Sequence, residues 1–503
     1  MWKPIHTKRR SVACRAVALA IALSICGALM LAKPVPALAA AEISLQTQGT
    51  IPADALVLDN YLQPGFSCSL PLLIFNSSKA DVLPNYENNY STKTEILTSD
   101  DDEGNTLSAA GLAGTMADLH NLTDRDNISD KKHDYFLRFE QETQLLGLPS
   151  TREFLVLGAM DDKSLIRNYI GYSIAMEVLD SAPDIRLCEL IIRDGDEYLY
   201  QGVYLLAALP SAPDSLLLQR STQGVEMVLE TYADMTDETV GELTIPLGEK
   251  PGWDDNYNEA LGRLSWAEEV LYYTTSRTFY QYQDLFDVES FVGGFIIGEL
   301  TENYTGMHNA YYYYSSDTEM VSCAPLWSFQ YAFDNDAENP AQPDTLRYSE
   351  ATYFRQLFKS PSFAKQINDS YLQLRRGPLD EQALMRLVDN ATALVADAVD
   401  RDWARWNGYS HVQLKPLTEI ELDDTTMEIE PFSRQSDNYE DEILRIKTQL
   451  REHSLHFAVN VTQFDFQERE ISKEIVLNSN PVWLIVFIIG FFLVVRFVRK
   501  YGV

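Results

Sequence analysis

Two apolar segments at the ends of the chain constrain its organisation more than any other feature. Residues 481–495 are uninterruptedly apolar, begin close to Trp483 and run into Arg496 and a basic terminus. This pattern is typical of a stop-transfer anchor, in which the tryptophan lies at one membrane interface and the arginine snorkels to the other. The sequence therefore predicts a transmembrane helix over 481–498 and a cytoplasmic tail over 499–503. A buried core helix is the alternative.

The N-terminus has the pattern of a secretory signal. Basic residues from Lys8 to Arg15 precede an apolar run, Ala16 to Leu31, and Ala37-Leu38-Ala39 supplies the small residues of a cleavage site. We expect cleavage after Ala39, an entry segment over 40–64, a folded body over 65–458 and a polar stalk over 459–480. The predicted protein is a single-pass protein of the cell membrane, with its body outside and its C-terminus in the cytoplasm.

The charge of the body excludes one class of partner. The chain of 503 residues carries 74 acidic against 40 basic residues, and nine of the basic residues lie in the first 39 and last eight positions. The remaining surface would repel phosphate backbones, so nucleic-acid binding is disfavoured. A content of 46% hydrophobic and 11% aromatic residues indicates a folded body despite the acidity.

The familiar catalytic patterns are missing from the sequence. Outside the signal there are three cysteines, Cys68, Cys188 and Cys323, which allow one disulfide bridge or three buried thiols. No zinc-ligand spacing, serine nucleophile elbow, Walker loop or GxGxxG pattern is present.

The periodicity of apolar residues predicts an α+β body with strands first and helices later. The predicted strands are residues 70–76, 133–140, 187–194 and 198–206, the last two joined as a hairpin by a turn at Asp194-Gly195-Asp196. The predicted helices are 287–300, 381–406 with Asp380 as its cap, and 439–455. The tyrosines 311–314 indicate a buried strand, with a carbohydrate-stacking surface as the alternative.

Several segments in a fixed order resemble the spore-coat protein H (CotH) kinase family. They include an Arg-x-Asn-x-Ser element followed by Lys131-Lys132, an Asp-x-Ser-x-Ile-Arg-Asn element, a Gly-Val-Tyr-Leu-Leu strand, a tyrosine-rich strand and a Pro-x-Trp-x-Phe-x-x-Ala-Phe strand. In this sequence they lie at 125–139, 154–168, 202–206, 287–314 and 325–333. The resemblance extends over about residues 65–455, including the later helices around Trp406.

The resemblance implies an atypical protein-kinase-like fold and phosphorylation of serine-containing proteins with ATP and Mg²⁺ or Mn²⁺. Phosphoryl transfer requires cations on the phosphates and carboxylates on the metal, because catalysis is mostly positioning and charge stabilisation. By resemblance, the nucleotide-binding residues would be Lys131 or Lys132, Arg167, Asn303 and Asn309. The alternative for the basic residues is a solvated strand edge.

The sequence departs from the family at the carboxylates. The two aspartates of the family's Trp-Asp-Phe-Asp element fall on Ser328 and Gln330, and two further acidic positions fall on Ala208 and Thr305. Hydroxyl and amide oxygens can touch Mg²⁺, but they bring no charge to offset it. We therefore expect the metal–nucleotide complex to bind weakly or not at all.

Nearby carboxylates could replace the missing aspartates as metal ligands. Asp334 and Asp336 follow the Ser328 element, and Glu299 and Glu302 precede the tyrosine run. If the segment continues as an extended strand, Asp334 lies about 20 Å beyond Ser328 and needs a bulge to replace the lost ligand.

Three functions follow from these observations. The first is a degenerate kinase, a pseudokinase that binds or scaffolds an envelope or surface protein in a bacterial cell envelope. The second is a working kinase for Ser or Thr of secreted or surface proteins, with ATP and a non-standard metal shell. The third is an accessory protein that handles cell-wall polysaccharide.

Overall fold

The computed structural model describes part of the body. The described residues are 61–62, 66–82, 91–100, 105–107, 114–122, 132–210, 215–221, 243–244, 253–273, 279–304, 309–324, 328–337, 339–342, 344–350, 352–406, 421–422, 425–426 and 438–461. The predicted signal, transmembrane helix and cytoplasmic tail lie outside them and stay predictions. Among the helices that are described, none has the length and apolar character needed to cross a membrane.

Strands dominate the chain up to residue 208. In chain order the elements are β1 (Ser67–Cys68), β2 (Leu72–Asn76), α1 (Lys79–Val82), β3 (Ser91–Ser99), β4 (Asn105–Thr106), β5 (Gly114–Asn121), β6 (Tyr135–Thr143), β7 (Thr151–Leu157), α2 (Arg167–Met176), β8 (Asp184–Asp194) and β9 (Glu197–Ala208).

Helices dominate the rest. The elements are β10 (Ser215–Ser221), β11 (Leu243–Thr244), α3 (Trp253–Tyr273), α4 (Val288–Thr301), β12 (Asn309–Ser315), β13 (Met320–Cys323), α5 (Thr352–Leu357), α6 (Pro361–Leu374), α7 (Glu381–Val395), α8 (Val399–Arg405), β14 (Glu421–Leu422), β15 (Thr425–Thr426) and α9 (Tyr439–Asn460), with 3₁₀ turns at Phe279–Asp284 and Tyr348–Glu350. The predicted α+β order is confirmed.

Seven strands form a sheet that closes on itself in the order β2-β3-β5-β6-β7-β9-β8. All neighbours are antiparallel except β2 and β8, whose parallel pairing closes the sheet with Leu72 opposite Glu189. The predicted hairpin is confirmed as β8 and β9, with Gly195 at a φ of 63° in its turn. The protein-kinase-like fold that the resemblance implied stays a prediction.

Strand residues fill cores on both faces of the closed sheet. One cluster packs inside it, around Phe75, Tyr135 and Phe154, all fully buried. The larger cluster lies between the sheet and the helices and includes Ile170 and Phe295. Because β9 contributes to both clusters, it is buried along nearly its whole length. The sheet therefore carries the helical half on one outer face.

The predicted helices are confirmed with one correction. Residues 381–406 were expected to form one helix, capped by Asp380, whose side chain does accept a hydrogen bond from the Ala383 amide. The structure instead has two helices, α7 and α8, separated at residues 396–398. At this break the Asp397 carboxylate accepts hydrogen bonds from Ser69 and Arg401. The contact with Ser69 joins residues that are far apart in the sequence.

The tyrosine run forms β12 in a four-stranded sheet ordered β11-β10-β12-β13. Tyr312 and Tyr314 are 5% and 0% exposed, and the Tyr314 hydroxyl donates to Glu259 at 2.8 Å. These two tyrosines point into the core, as predicted for a buried strand, so they do not contribute to a carbohydrate-stacking surface. The three body cysteines are free thiols.

Candidate functional site

The segment 328–336 lies at the centre of the candidate site and is not the extended strand that the sequence predicted. Residues 330–335 form consecutive turns, and Phe333 and Asp334 adopt left-handed backbone conformations with φ of 55° and 62°. Such conformations are uncommon for residues other than glycine. The turn is held by Asn335, whose side chain donates to the carbonyls of Gln330 and Asp161, each at 2.7 Å.

Ser328 is held by two asparagines. The Asn303 amide donates to the Ser328 carbonyl at 2.6 Å. The Asn168 Oδ1 accepts from the Phe329 backbone amide at 2.6 Å and from the Ser328 hydroxyl at 3.3 Å. The structure thus brings together the predicted residues Asn303 and Ser328. It adds Asn168, which the sequence placed within a family motif without assigning it a role.

The turn around Gln330 is joined to Asp161 by the neighbouring residues Tyr331 and Asn335. The Gln330 carbonyl accepts from Asn335, and the adjacent Tyr331 hydroxyl donates to Asp161 Oδ2 at 2.6 Å. This carboxylate therefore serves to fix the turn. Asp161 was not singled out by the sequence, because its partners come from a segment 170 residues away.

A glycine lets helix α2 approach this segment. A Cβ at Gly171 would lie 2.1 Å from Cγ of the buried Phe329 ring, whereas a Cβ at Gly262 in α3 would meet no atom within 4 Å. We expect Gly171→Ala to lower the free energy of unfolding by about 2 kcal/mol, because overpacking outweighs the gain in helix propensity. Gly262→Ala, the matched control, should raise it by up to about 1 kcal/mol. Urea denaturation of both variants tests this. Equal changes in the free energy of unfolding at the two positions would contradict the close packing of Gly171 on Phe329.

Arg167 is fully buried in a network of carboxylates. Its NH1 pairs with Asp162 at 2.7 Å, its NH2 with Glu442 of α9 at 2.9 Å, and its Nε donates to the Ala332 carbonyl at 3.0 Å. The burial of the whole side chain and its three partners indicate that Arg167 joins α2, α9 and the 328–336 turn. The phosphate-binding role that the resemblance implied for Arg167 stays a prediction.

Lys132 precedes β6 and is also enclosed. Its Nζ pairs with Asp402 Oδ2 at 2.7 Å, and both side chains are 0% exposed. The same oxygen accepts from the Val203 amide at 2.6 Å. Gly202, with a φ of 102°, makes room for the carboxylate, because a Cβ there would lie 2.2 Å from Asp402 Oδ2. Lys131 lies outside the described residues.

The neighbouring His133 provides a test of burial in this region. It is 4% exposed, and burial lowers its pKa to about 4, whereas burial raises the pKa of the Asp134 carboxyl to about 6. Between pH 6.5 and 4 the unfolded chain binds a proton on His133 that the folded chain does not. The free energy of unfolding should therefore fall as the pH falls through this window, by up to about 3 kcal/mol from His133 alone.

The His133→Gln variant isolates this contribution, because Asp134 titrates in both proteins. As the pH falls from 7 to 4.5, we expect the free energy of unfolding to decrease more for the wild type than for His133→Gln. Urea denaturation at both pH values measures it. Parallel pH dependences would contradict the burial of an uncharged His133.

Glu299 and Glu302 lie in the helical core on either side of His453. The imidazole nitrogens Nε2 and Nδ1 lie 3.7 Å from oxygens of Glu299 and Glu302, respectively, and all three side chains are 0–2% exposed. Burial raises the pKa of Glu299. Glu302 also accepts from the Gln342 amide at 3.0 Å, and Glu299 accepts from the Tyr348 amide at 2.5 Å. His453 was not anticipated from the sequence.

The other predicted residues are spread around the turn. Asp334 Oδ1 accepts from the Ala341 amide at 2.9 Å, and Asp336 accepts from the backbone and side chain of Asn339. Asn309 begins β12 opposite Ser221. These hydrogen bonds join Asp334 to Ala341 and Asp336 to Asn339.

The described residues do not fit a metal–nucleotide complex. Within the described ranges, no group of three or more His, Cys, Asp or Glu side chains is arranged to hold a metal ion. Of the three candidate cations, Lys132 and Arg167 are paired with buried carboxylates, and Lys131 lies outside the described residues. A triphosphate with Mg²⁺ requires accessible cations and at least one charged oxygen ligand on the metal.

Comparison with known proteins supports the family resemblance. The family model described as CotH kinase protein matches residues 125–454, about two thirds of the chain. A search of curated proteins gave no match.

Proposed function

Because the chain belongs to the CotH kinase protein family, we propose that it is a degenerate member, a pseudokinase that acts as a binding or scaffolding module. The observation that carries the proposal is the 328–336 turn. It has Ser328 and Gln330 in place of the two aspartates, and the Ser328 hydroxyl is directed to Asn168. A neutral hydroxyl and amide leave the charge of a divalent metal uncompensated.

The enclosed basic residues support the same proposal. Phosphoryl transfer depends on fixed charges around the transferred group. Here Lys132 and Arg167 have their charges offset by Asp402, Asp162 and Glu442, which lie on other elements of the fold. The basic residues therefore stabilise the fold between the sheet and the helices, and ATP with Mg²⁺ or Mn²⁺ is no cofactor of this chain.

The sequence supports a place for this module in the cell envelope. The proposed signal over 1–39 would export the body, and the apolar segment 481–498 would anchor it in the membrane, with the acidic body outside. The partner would be an envelope or surface protein.

A phosphotransfer assay separates this proposal from a working kinase. The full-length chain, kept in mild detergent because of its apolar C-terminal segment, is incubated with ATP labelled at the γ-phosphate, Mg²⁺ or Mn²⁺, and a serine-rich protein. We expect no incorporation above a control without the chain. Metal-dependent incorporation of phosphate would overturn the proposal. If Asp334→Asn or Asp336→Asn abolished that incorporation, the substituted carboxylate would be a ligand of the metal.

A further inference from the structure

The outward face of α9 carries large apolar side chains where a surface helix is normally polar. The inward face packs in the core, with Ile446 and Leu450 both 0% exposed. On the opposite face Leu444 is 61% exposed, and Leu455 and Val459 are each 56% exposed. A helix on the surface of a protein usually presents charged and polar residues to water. The outward face of α9 is therefore a candidate contact surface.

The exposed side chains of this face lie on one line along the helix. They recur at intervals of four, three, four and four residues, which keeps them on one side of the helix. We call this line the α9 stripe, and its members are Leu444, Thr448, Arg451, Leu455 and Val459. At a rise of 1.5 Å per residue the stripe is about 22 Å long. A straight stripe of this length fits a second helix packed alongside α9.

The charges beside the stripe are complementary to those of a second copy. Arg451 and the exposed Glu452 are consecutive, so they lie about 100° apart around the helix and flank the middle of the stripe on opposite sides. In two parallel α9 helices related by a two-fold axis, the Arg451 side of one copy faces the Glu452 side of the other. The Arg–Glu pair then forms twice, and Leu455 meets Leu455 of the second copy. In an antiparallel pair Arg451 would face Arg451, so the charges select the parallel arrangement.

From this geometry we propose that a second copy of this chain docks on the α9 stripe and forms a parallel two-fold dimer. The apolar side chains of the two stripes pack against each other along the axis. Within its own chain Arg451 pairs with Glu381 of α7 at 2.9 Å, and both side chains are more than half exposed. A guanidinium has five N–H donors, so Arg451 can bind Glu452 of the second copy without releasing Glu381.

The proposed membrane anchor favours the same arrangement. The α9 helix ends at Asn460, and the apolar segment that would span the membrane begins at Pro481. Two chains anchored in one membrane have both of these segments on the same side of the dimer, as parallel helices require. Anchoring also raises the effective concentration of the copies, so one helix from each chain is a sufficient contact. The orientation in the membrane rests on the proposed anchor, whereas the stripe and its charges belong to the described structure.

A single introduced cysteine tests the two-fold contact in membranes that contain the full-length chain. Leu455→Cys places a thiol where the two helices meet, so mild oxidation should convert most of this variant into a disulfide-linked dimer on a non-reducing gel. Met116→Cys, at a comparably exposed position of β5 (54%), is the matched control and should stay monomeric. The unsubstituted chain controls for the native thiols, of which Cys68 and Cys188 are buried.

Charge variants, each carrying Leu455→Cys as the reporter, test the pairing of the two copies. Arg451→Glu brings two carboxylates together on each side of the axis and should reduce the dimer at least about fivefold. Glu452→Arg brings two guanidinium groups together and should have the same effect. The two substitutions in one chain reverse each pair without removing it, so this double variant should restore the dimer. Arg451 and Glu452 are both exposed, so these variants should fold normally.

Equal cross-linking of Leu455→Cys and Met116→Cys, or a dimer that Arg451→Glu leaves unchanged, would overturn the inference. A double charge variant that stayed monomeric would overturn the parallel pairing.

These results are independent of the two other proposals. A chain that transfers phosphate and still cross-links at Leu455→Cys refutes the pseudokinase proposal alone. A chain that does neither of these refutes the dimer alone. Alkaline carbonate extraction of the same membranes tests the anchor separately, because a chain without an anchor is released.

Discussion

Replacing Arg167 by methionine is expected to lower the free energy of unfolding by about 3–5 kcal/mol. The substitution removes the cation from a site where the carboxylates of Asp162 and Glu442 are both 0% exposed. The Asp162 carboxylate would then be buried without a counter-charge, and Glu442 would keep only its pair with Arg445. The Ala332 carbonyl would also lose the donor that ties the 328–336 turn to α2. The loss should appear as a lower urea midpoint in tryptophan fluorescence.

Lys365→Met is the matched control for this experiment. Lys365 pairs with Asp369 one helical turn away, and both side chains are at least 60% exposed. Its replacement should change the unfolding free energy by less than about 0.5 kcal/mol. If Arg167→Met proved no more destabilising than Lys365→Met, the guanidinium would not be part of the folded core, and its assignment to a phosphate would regain support.

The second large effect is expected from Lys132→Met. The Asp402 carboxylate would lose its counter-charge inside the protein, at a cost of about 3–5 kcal/mol. The hydrogen bond from the Val203 amide to Asp402 would remain and would not compensate the charge. A lysine that served mainly a nucleotide would give the opposite result, in which the variant folds normally and loses only ligand binding.

Lys93→Met provides the comparison on the same closed sheet. Lys93 is 66% exposed and lies 3.7–3.8 Å from Glu140 and Asp118. Its loss should cost less than about 0.5 kcal/mol, because such surface pairs are screened by water. Unchanged stability of Lys132→Met in the same urea titration would show that the Lys132–Asp402 pair is dispensable for folding.

The sequence predicted the parts of the fold that depend on local pattern. The α9 helix follows from its apolar spacing, and its cap at Asn438 accepts from the Asp441 amide. The β8–β9 hairpin follows from two apolar runs around Gly195. In both cases neighbours in sequence determine the structure, so periodicity and turn residues suffice.

Contacts between distant residues account for what the sequence did not predict. Asp402 looked like one more polar residue of a long helix, yet its partner Lys132 lies 270 residues away. Residues 325–333 were predicted to form a strand because they resemble a strand motif of the family. The segment 328–336 forms turns instead, which donors and acceptors from residues 161, 168 and 303 hold in place. The loss of the two aspartates could be seen in the sequence, but the burial of Lys132 and Arg167 required the fold.

The central claim, that this CotH family chain has lost metal–nucleotide binding, is tested most directly by a thermal-shift titration of the full-length chain. ATP is added with and without Mg²⁺ or Mn²⁺, and the Ser328→Asp and Gln330→Asp double variant is measured in parallel. A ligand at 100 times its dissociation constant adds about 2.7 kcal/mol to stability, which is readily detected. We predict no metal-dependent shift for the wild type and a shift for the double variant, in which two carboxylates are restored. A metal-dependent shift of the wild type would contradict the claim.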